Sequence, residues 1–389
     1  MGSSGMKTQA GGRGLGPNAH LIGETGGRSR LATPCLVLDR GGLKRNLARA
    51  ADFCRANGIA LRPHAKTHKC VAIARMQIEA GAAGLCVATI GEAEAMAAGG
   101  IGDILVTSAI TQPGKLERAV MLARSVRLTL VADDPGIVAL IGRAAAEAGV
   151  SIGVHVDVDL GRHRNGVTSA AQAVLVANAI AEQPALPLAG MQAYASHISH
   201  LESFGARQAA SVACARMIGD IKSALEAAGH RIETVTGGST GTLFMDPGLG
   251  CYSELQAGSY AVGDVEYAAL ALTGEGTSPF ETVLTVRVSV IGRNWPGRVT
   301  CDGGNKQFSA KGTLPRFASP PSHGAVYSPD SDEHGIIELA PGAPQPALGE
   351  NFELIVPHCD PTVNLYDHIH VIQGDTLIGI WPIEARGAS

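Results

Sequence analysis

Residues 59–81 read IALRPHAKTHKCVAIARMQIEAG. A short β-favouring run, Ile59–Ala65, ends in a basic loop. Val71–Ala80 then sets its apolar residues at helical spacing, and Gly81 stands where a left-handed C-cap favours glycine. Strand, loop, helix and glycine make one βα unit. The same texture repeats outward. Strand-like runs occur at Leu36–Asp39, Gly84–Ile90, Asp103–Ile110, Arg127–Asp133, Ser151–Asp159, Leu188–Ser196, Ile232–Gly238 and Glu254–Val262. Helical segments such as Leu43–Asn57, Pro135–Ala148, Ala170–Glu182 and Arg207–Ala228 lie between them. This alternation implies a parallel sheet covered by helices, an α/β fold. Eight such strands close a (β/α)8 TIM-type barrel of roughly 200–250 residues, which suits residues 33–268. With Ile59–Ala65 the runs number nine, so one lies outside the barrel, and Leu36–Asp39 is the expected outlier. An open doubly wound sheet shows the same alternation and is the competing architecture.

Beyond residue 270 the texture changes. Thr282–Val290, Arg298–Asp302, Gly335–Leu339, Asn351–Val356, Ile369–Gln373 and Thr376–Pro382 read as strands punctuated by Gly, Pro and Asp. Residues 269–389 are therefore expected to form an all-β domain, which strand 36–39 joins. Residues 1–32, rich in Gly, Ser and Arg, are expected to be a flexible tail.

Composition narrows the function classes. The chain has 389 residues, 45% of them hydrophobic and 4% aromatic, and a net charge of -4. That much apolar content excludes a disordered chain. The near-balanced charge carries no footprint for nucleic acid. No apolar run approaches the ~20 residues that cross a bilayer. Eight cysteines stand singly with no C-x-x-C pair, which predicts reduced thiols in a cytoplasmic protein.

Three motifs could carry chemistry. In RPHAKTHK (62–69), Lys66 sits where a strand ends, the active-site face of a barrel. Partial desolvation there would ease deprotonation of its amine for Schiff-base chemistry; a basic loop capping a strand is the plainer reading. In TGGSTGT (236–242), glycines admit backbone N–H groups to a phosphate and hydroxyls add donors, although a tight turn has the same sequence. In PHCDPT (357–362), an extended backbone would turn His358 and Asp360 to one side and Cys359 away. A His/carboxylate pair completed by water suits Mn²⁺ or Mg²⁺ better than a structural Zn²⁺ cage. Cys359 replaces Asp360 as ligand if the backbone turns there, and H-x-D is also a common structural pair. His197 and His200 follow the Leu188–Ser196 run. Either one is a candidate general base. Asp157, Asp159, Arg162, His163 and Arg164 cluster after the Ser151–Asp159 run.

Taken in order, RPHAKTHK, GGSTG (237–241), ELQAGSY (254–260), DEHG (332–335) and PHCDPT resemble the D-threonine aldolase and D-serine dehydratase family. These are pyridoxal-phosphate (PLP) enzymes with the alanine-racemase type of fold. The resemblance runs from Thr33 to Arg386. It implies a PLP-bearing barrel plus a β domain in a homodimer that acts on a small-molecule substrate. Lys66 then matches the Schiff-base lysine, and Arg164 the arginine facing the pyridine nitrogen. Tyr194, Thr236, Gly238, Ser239, Thr240, Gly241 and Tyr260 match cofactor-binding groups. His358 and Asp360 match the ligands of a divalent metal, Mn²⁺ before Mg²⁺ or Zn²⁺. His200 matches the histidine that handles the substrate hydroxyl. His-x-Asp, where the dehydratases carry His-x-Cys, implies retro-aldol cleavage of D-3-hydroxy amino acids to glycine and an aldehyde. The alternatives are a D-serine or 3-hydroxy-D-aspartate dehydratase releasing a 2-oxo acid and ammonia, and a non-catalytic PLP-binding protein. Departures from the aldolase pattern lie at Val262-Gly263-Asp264, Ala88–Ala93 and Ala195–Ser199.

Overall fold

The computed structural model describes residues 14–309, 313–318 and 324–389. Its first strand is β1 (Cys35–Asp39). Eight more follow: β2 (Ala60–Leu61), β3 (Leu85–Val87), β4 (Asp103–Val106), β5 (Arg127–Ala132), β6 (Gly153–Val158), β7 (Leu188–Ala193), β8 (Val235–Gly237) and β9 (Glu254–Leu255). The helices between them are α1 (Arg40–Ala56), α2 (Val71–Glu79), α3 (Ile90–Ala98), α4 (Pro113–Leu122), α5 (Pro135–Ala148), α6 (Ala170–Ala181) and α7 (Phe204–Ala227). The eight strands pair in parallel in the order β2-β9-β8-β7-β6-β5-β4-β3. The two edges of that sheet meet. His64, just past β2, bridges in parallel to Cys86 of β3. The carbonyls of Leu61 and Pro63 accept the N–H groups of Ala83 and Cys86 at 2.9 Å. Closure distinguishes a barrel from an open doubly wound sheet, whose edges stay apart.

The second sheet contains β10 (Leu284–Gly292), β11 (Arg298–Cys301), β12 (Arg316–Phe317), β13 (Val326–Pro329), β14 (Gly335–Glu338), β15 (Asn351–Ile355), β16 (His368–Gln373) and β17 (Thr376–Pro382). Its path is β13-β14-β11-β10-β1-β16-β17, with β15 pairing β10 and β12. β1 lies inside this sheet, antiparallel to β10 and parallel to β16. Its residues alternate between two cores. Leu36 and Leu38 enter the large core that α1 covers, whereas Cys35 and Val37 pack with Leu21, Leu31, Leu377 and Ile380.

That second core corrects the expectation of a tail over residues 1–32. Residues 1–13 lie outside the described residues, but 14–32 is seated on the sheet. Leu21 and Leu31 are buried, Arg28 forks onto Glu353 at 2.8 and 2.7 Å, and Asn18 meets His370 at 3.0 Å. Two leucines anchor a segment whose composition otherwise reads as solvated.

The barrel strands are shorter than their apolar runs. The run Gly84–Ile90 is strand only through Val87, because Thr89 Oγ1 accepts the Glu92 N–H and starts α3. The run Glu254–Val262 leaves the sheet after Leu255 and becomes a helical turn at Ser259–Ala261. Among the described residues no helix is long and apolar enough to cross a membrane. All eight cysteines are free, and all but the half-buried Cys251 are buried.

Candidate active site

A cavity of about 750 Å³ opens beyond the carboxyl ends of the barrel strands. Its wall is drawn from the segments after β2 (His64, Lys66), β4 (Thr107, Ser108), β6 (Arg162, Arg164), β7 (Tyr194, His197, His200) and β9 (Gln256, Ser259). Glu266 and Tyr267 belong to helix α8 (Val265–Ala268), and Pro357, His358 and Pro361 arrive from the second sheet. Lys66, Arg164, Tyr194, His200 and His358, far apart in sequence, thus line one cavity.

Lys66 occupies a helical turn, Ala65–Thr67, whose first residue follows a capping histidine: His64 Nδ1 accepts the Lys66 N–H at 3.4 Å. His64 is buried, and burial first, then the charge of Lys66, holds its ring well below the usual histidine range. Gly258 lets the turn pack on the segment after β9, since a Cβ there would lie 2.7 Å from the His64 carbonyl. Lys66 Nζ lies 2.5 Å from Asp360 Oδ1. Burial alone would lower this amine, but Asp360 outweighs it and the amine is raised above its ordinary value. Desolvation was expected to ease its deprotonation; here the carboxylate keeps the proton on. Burial would likewise raise Asp360, but Lys66 and His358 hold it well below the carboxylate range.

His358 is extended, but the residues after it are not. Helix α9 begins at Cys359 and runs to Val363, with His358 as its cap. His358 and Asp360 still converge, His358 Nε2 standing 3.8 Å from Asp360 Oδ2, because the cap residue precedes the helical turn. Cys359 is buried and absent from the cavity wall. Its sulfur lies 3.2 Å from Asp264 Oδ2. Asp264, His358 and Cys359 offer donor atoms within 4.8 Å of one another.

His200 Nδ1 and His358 Nδ1 each lie 3.5 Å from Glu266 Oε2, and the His200 ring rests on Tyr267 with centroids 4.6 Å apart. Burial lowers His200, an effect that Glu266 only partly opposes. Asp159 accepts the N–H groups of Gly161, Arg162 and His163, which fixes the loop that carries Arg164 to the rim. Beneath it, Gln192 donates to Asp157 at 2.9 Å and accepts from Gln256 at 3.2 Å; burial pushes Asp157 up to about 7.

The glycine loop differs from expectation in which groups face outward. Its hydroxyls brace the loop itself: Ser239 Oγ lies 3.2 Å from Thr242 Oγ1, Thr242 donates to Asp246 at 2.6 Å, and Thr240 accepts the Tyr260 N–H. Thr236 Oγ1 accepts from Gln256. Ser239 and Gly238 border a separate, water-sized void. Thr240 and Gly241 are buried, and their N–H groups find no acceptor among the described residues. Buried, unpaired amides are the cradle an anion fills. Gly241 is required because a Cβ would lie 2.0 Å from the Ser199 carbonyl. Tyr260, expected to bind cofactor, is instead 1% exposed, packed on Phe280, with its hydroxyl 3.5 Å from Gln77. Lysine, arginine and tyrosine around one cavity, with the unpaired Thr240 and Gly241 amides of the glycine loop, fit PLP.

Burial raises Asp246 to about 7. A raised folded pKa means that the native state holds the proton more tightly, so stability is present below about pH 4 and lost as pH rises through 7. Asp246→Asn should remove this share of the pH slope. At pH 8 the variant should be more stable than wild type by a few kcal/mol in urea melts, and equal midpoints at pH 8 would refute the buried-charge account.

Sequence reasoning missed Asp264, Glu266, Gln192 and Gln256. Gln256 and Asp264 flank the Gly-Ser-Tyr motif; Glu266 had no signal of its own.

The model of the alanine racemase N-terminal domain matches residues 38–266, and that of a putative serine dehydratase domain matches 283–372. A D-threonine aldolase from Arthrobacter sp. is 36% identical, over 93% of this chain and 94% of that one. A 3-hydroxy-D-aspartate aldolase from Paracoccus denitrificans is 34% identical, over 92% and 93%. The crystal structure of D-threonine aldolase from Filomicrobium marinum superposes with a TM-score of 0.89 at 33% identity, covering 92% of this chain and 96% of that one.

Proposed function

This chain belongs to the D-threonine aldolase and D-serine dehydratase family of alanine racemase-like enzymes, and on that footing we propose that it cleaves D-3-hydroxy amino acids to glycine and an aldehyde. The observation that carries this reading is that Lys66 and His358, which line one cavity, both meet the carboxylate of Asp360. Lys66 Nζ and the Thr240 and Gly241 amides would hold PLP, and His358 with Asp360 a divalent ion such as Mn²⁺; bound there, the first supplies an electron sink at Cα and the second a Lewis acid for the β-hydroxyl.

The chain's own residues do the rest. Arg164 and Tyr194 bind from the rim. Gln192 and Gln256 form a hydrogen-bonded floor above Asp157. His200 faces the cavity with Glu266 beside Nδ1, which leaves Nε2 free as the base that takes the hydroxyl proton. Burial keeps this ring neutral at neutral pH and therefore able to accept. Bond choice would rest on which substrate bond the cavity residues present to the cofactor's electron sink: Cα–Cβ for cleavage, Cα–H for dehydration or racemisation.

Product analysis with D-threonine and 3-hydroxy-D-aspartate tests the reading. Glycine with acetaldehyde or glyoxylate is expected; a 2-oxo acid with ammonia would make the protein a dehydratase. His200→Asn should lower kcat by about 10²–10³-fold and leave the absorbance of the bound cofactor unchanged. Undiminished kcat would remove His200 from proton transfer.

A further inference from the structure

Asp264 is wholly buried, with a side-chain exposure of 0%. Every contact it makes is with a donor. Oδ1 accepts the Tyr267 N–H at 2.8 Å. Oδ2 accepts the Cys359 N–H and S–H at 3.2 Å each and lies 3.1 Å from His358 Nδ1. A carboxylate oxygen in that setting accepts, so Nδ1 carries the hydrogen and the lone pair is on Nε2. Nε2 is the atom that faces Asp360.

Two places for a cation therefore compete around His358. One uses Asp264, Nδ1 of His358 and Cys359 Sγ, whose donor atoms lie within 4.8 Å of one another. It would displace the hydrogens of His358 Nδ1 and Cys359 Sγ, both of which face Asp264 Oδ2. The other uses Nε2 and Asp360, between the cavity-lining His358 and Lys66, and breaks nothing that Asp264 makes. A buried carboxylate behind a ligating histidine fixes ring orientation and tautomer.

We propose that Asp264 is a positioning residue that holds His358 with Nε2, not Nδ1, turned to a divalent ion shared with Asp360. This rests on the metal site proposed above. The test uses the full-length protein, loaded with PLP and stripped of metal. Mn²⁺ is titrated in and the free ion is followed by electron paramagnetic resonance. Asp264→Asn keeps an acceptor oxygen for the Tyr267 amide and should weaken Mn²⁺ binding about 10–100-fold, with the thermal midpoint and cofactor absorbance retained. Wild type that fails to bind Mn²⁺ overturns the metal site and the inference with it. Wild-type binding matched by equal affinity in the variant overturns the inference alone. A third measurement does not depend on the Asp264 variant. Co²⁺ on wild type should show no thiolate charge-transfer band; a band that disappears in Cys359→Ser would put the ion on Cys359 and overturn the assignment.

Discussion

Lys66→Ala will abolish the visible absorbance of bound cofactor and lower turnover by about 10³-fold or more. The amine stands on a turn pinned by His64 and by the approach of Gly258, so no other described lysine reaches that point of the cavity wall. The substitution also strips Asp360 of its nearest cation, 2.5 Å away. Lys66→Arg separates the two effects. It restores a positive charge beside Asp360 but cannot tether an aldehyde, so stability should return while absorbance and turnover stay lost. Retained absorbance in Lys66→Ala would refute the assignment.

Stripping divalent metal with a chelator should lower turnover by about 10²–10⁴-fold, with Mn²⁺ restoring it. His358→Ala should mimic the loss even in excess Mn²⁺. Both treatments should leave cofactor absorbance in place, because Lys66 is carried by a different segment from His358. The reason for a large effect is geometric. Asp360 Oδ1 lies 2.5 Å from Lys66 Nζ and its Oδ2 lies 3.8 Å from His358 Nε2, so one carboxylate would serve both the ion and the amine. Full turnover by chelated enzyme would end the metal's part in the reaction.

The barrel was legible because glycine C-caps and alternating textures are local properties. Closure was not, since it depends on the short seam where Leu61–His64 meets Ala83–Cys86, which no periodicity encodes. The site was legible where a residue type is chemically unusual for its place, as with Lys66 and His358. It was misread where a side chain's direction matters. Tyr260 lies in a motif beside the cavity yet points into the core, and the hydroxyls of Ser239 and Thr242 turn inward to brace their loop. PHCDPT offered two readings, extended with Asp360 as ligand or turned with Cys359; the backbone turns, and Pro361 falls within the first turn of α9, where a missing N–H has no consequence. Asp264 and Glu266 needed the fold, because nothing in their neighbours announces two histidines approaching from residues 200 and 358.

β1 places the start of the chain between two strands made much later. Its parallel partner, His368–Gln373, leaves the ribosome more than three hundred residues after it. During synthesis the barrel can close on its own strands, but Cys35–Asp39, apolar on both faces, must wait for β10 and then for β16. The cell therefore handles a nascent chain with one sticky end held open, and a ribosome stalled before residue 368 would release a product with an unfilled slot where its second sheet should be joined.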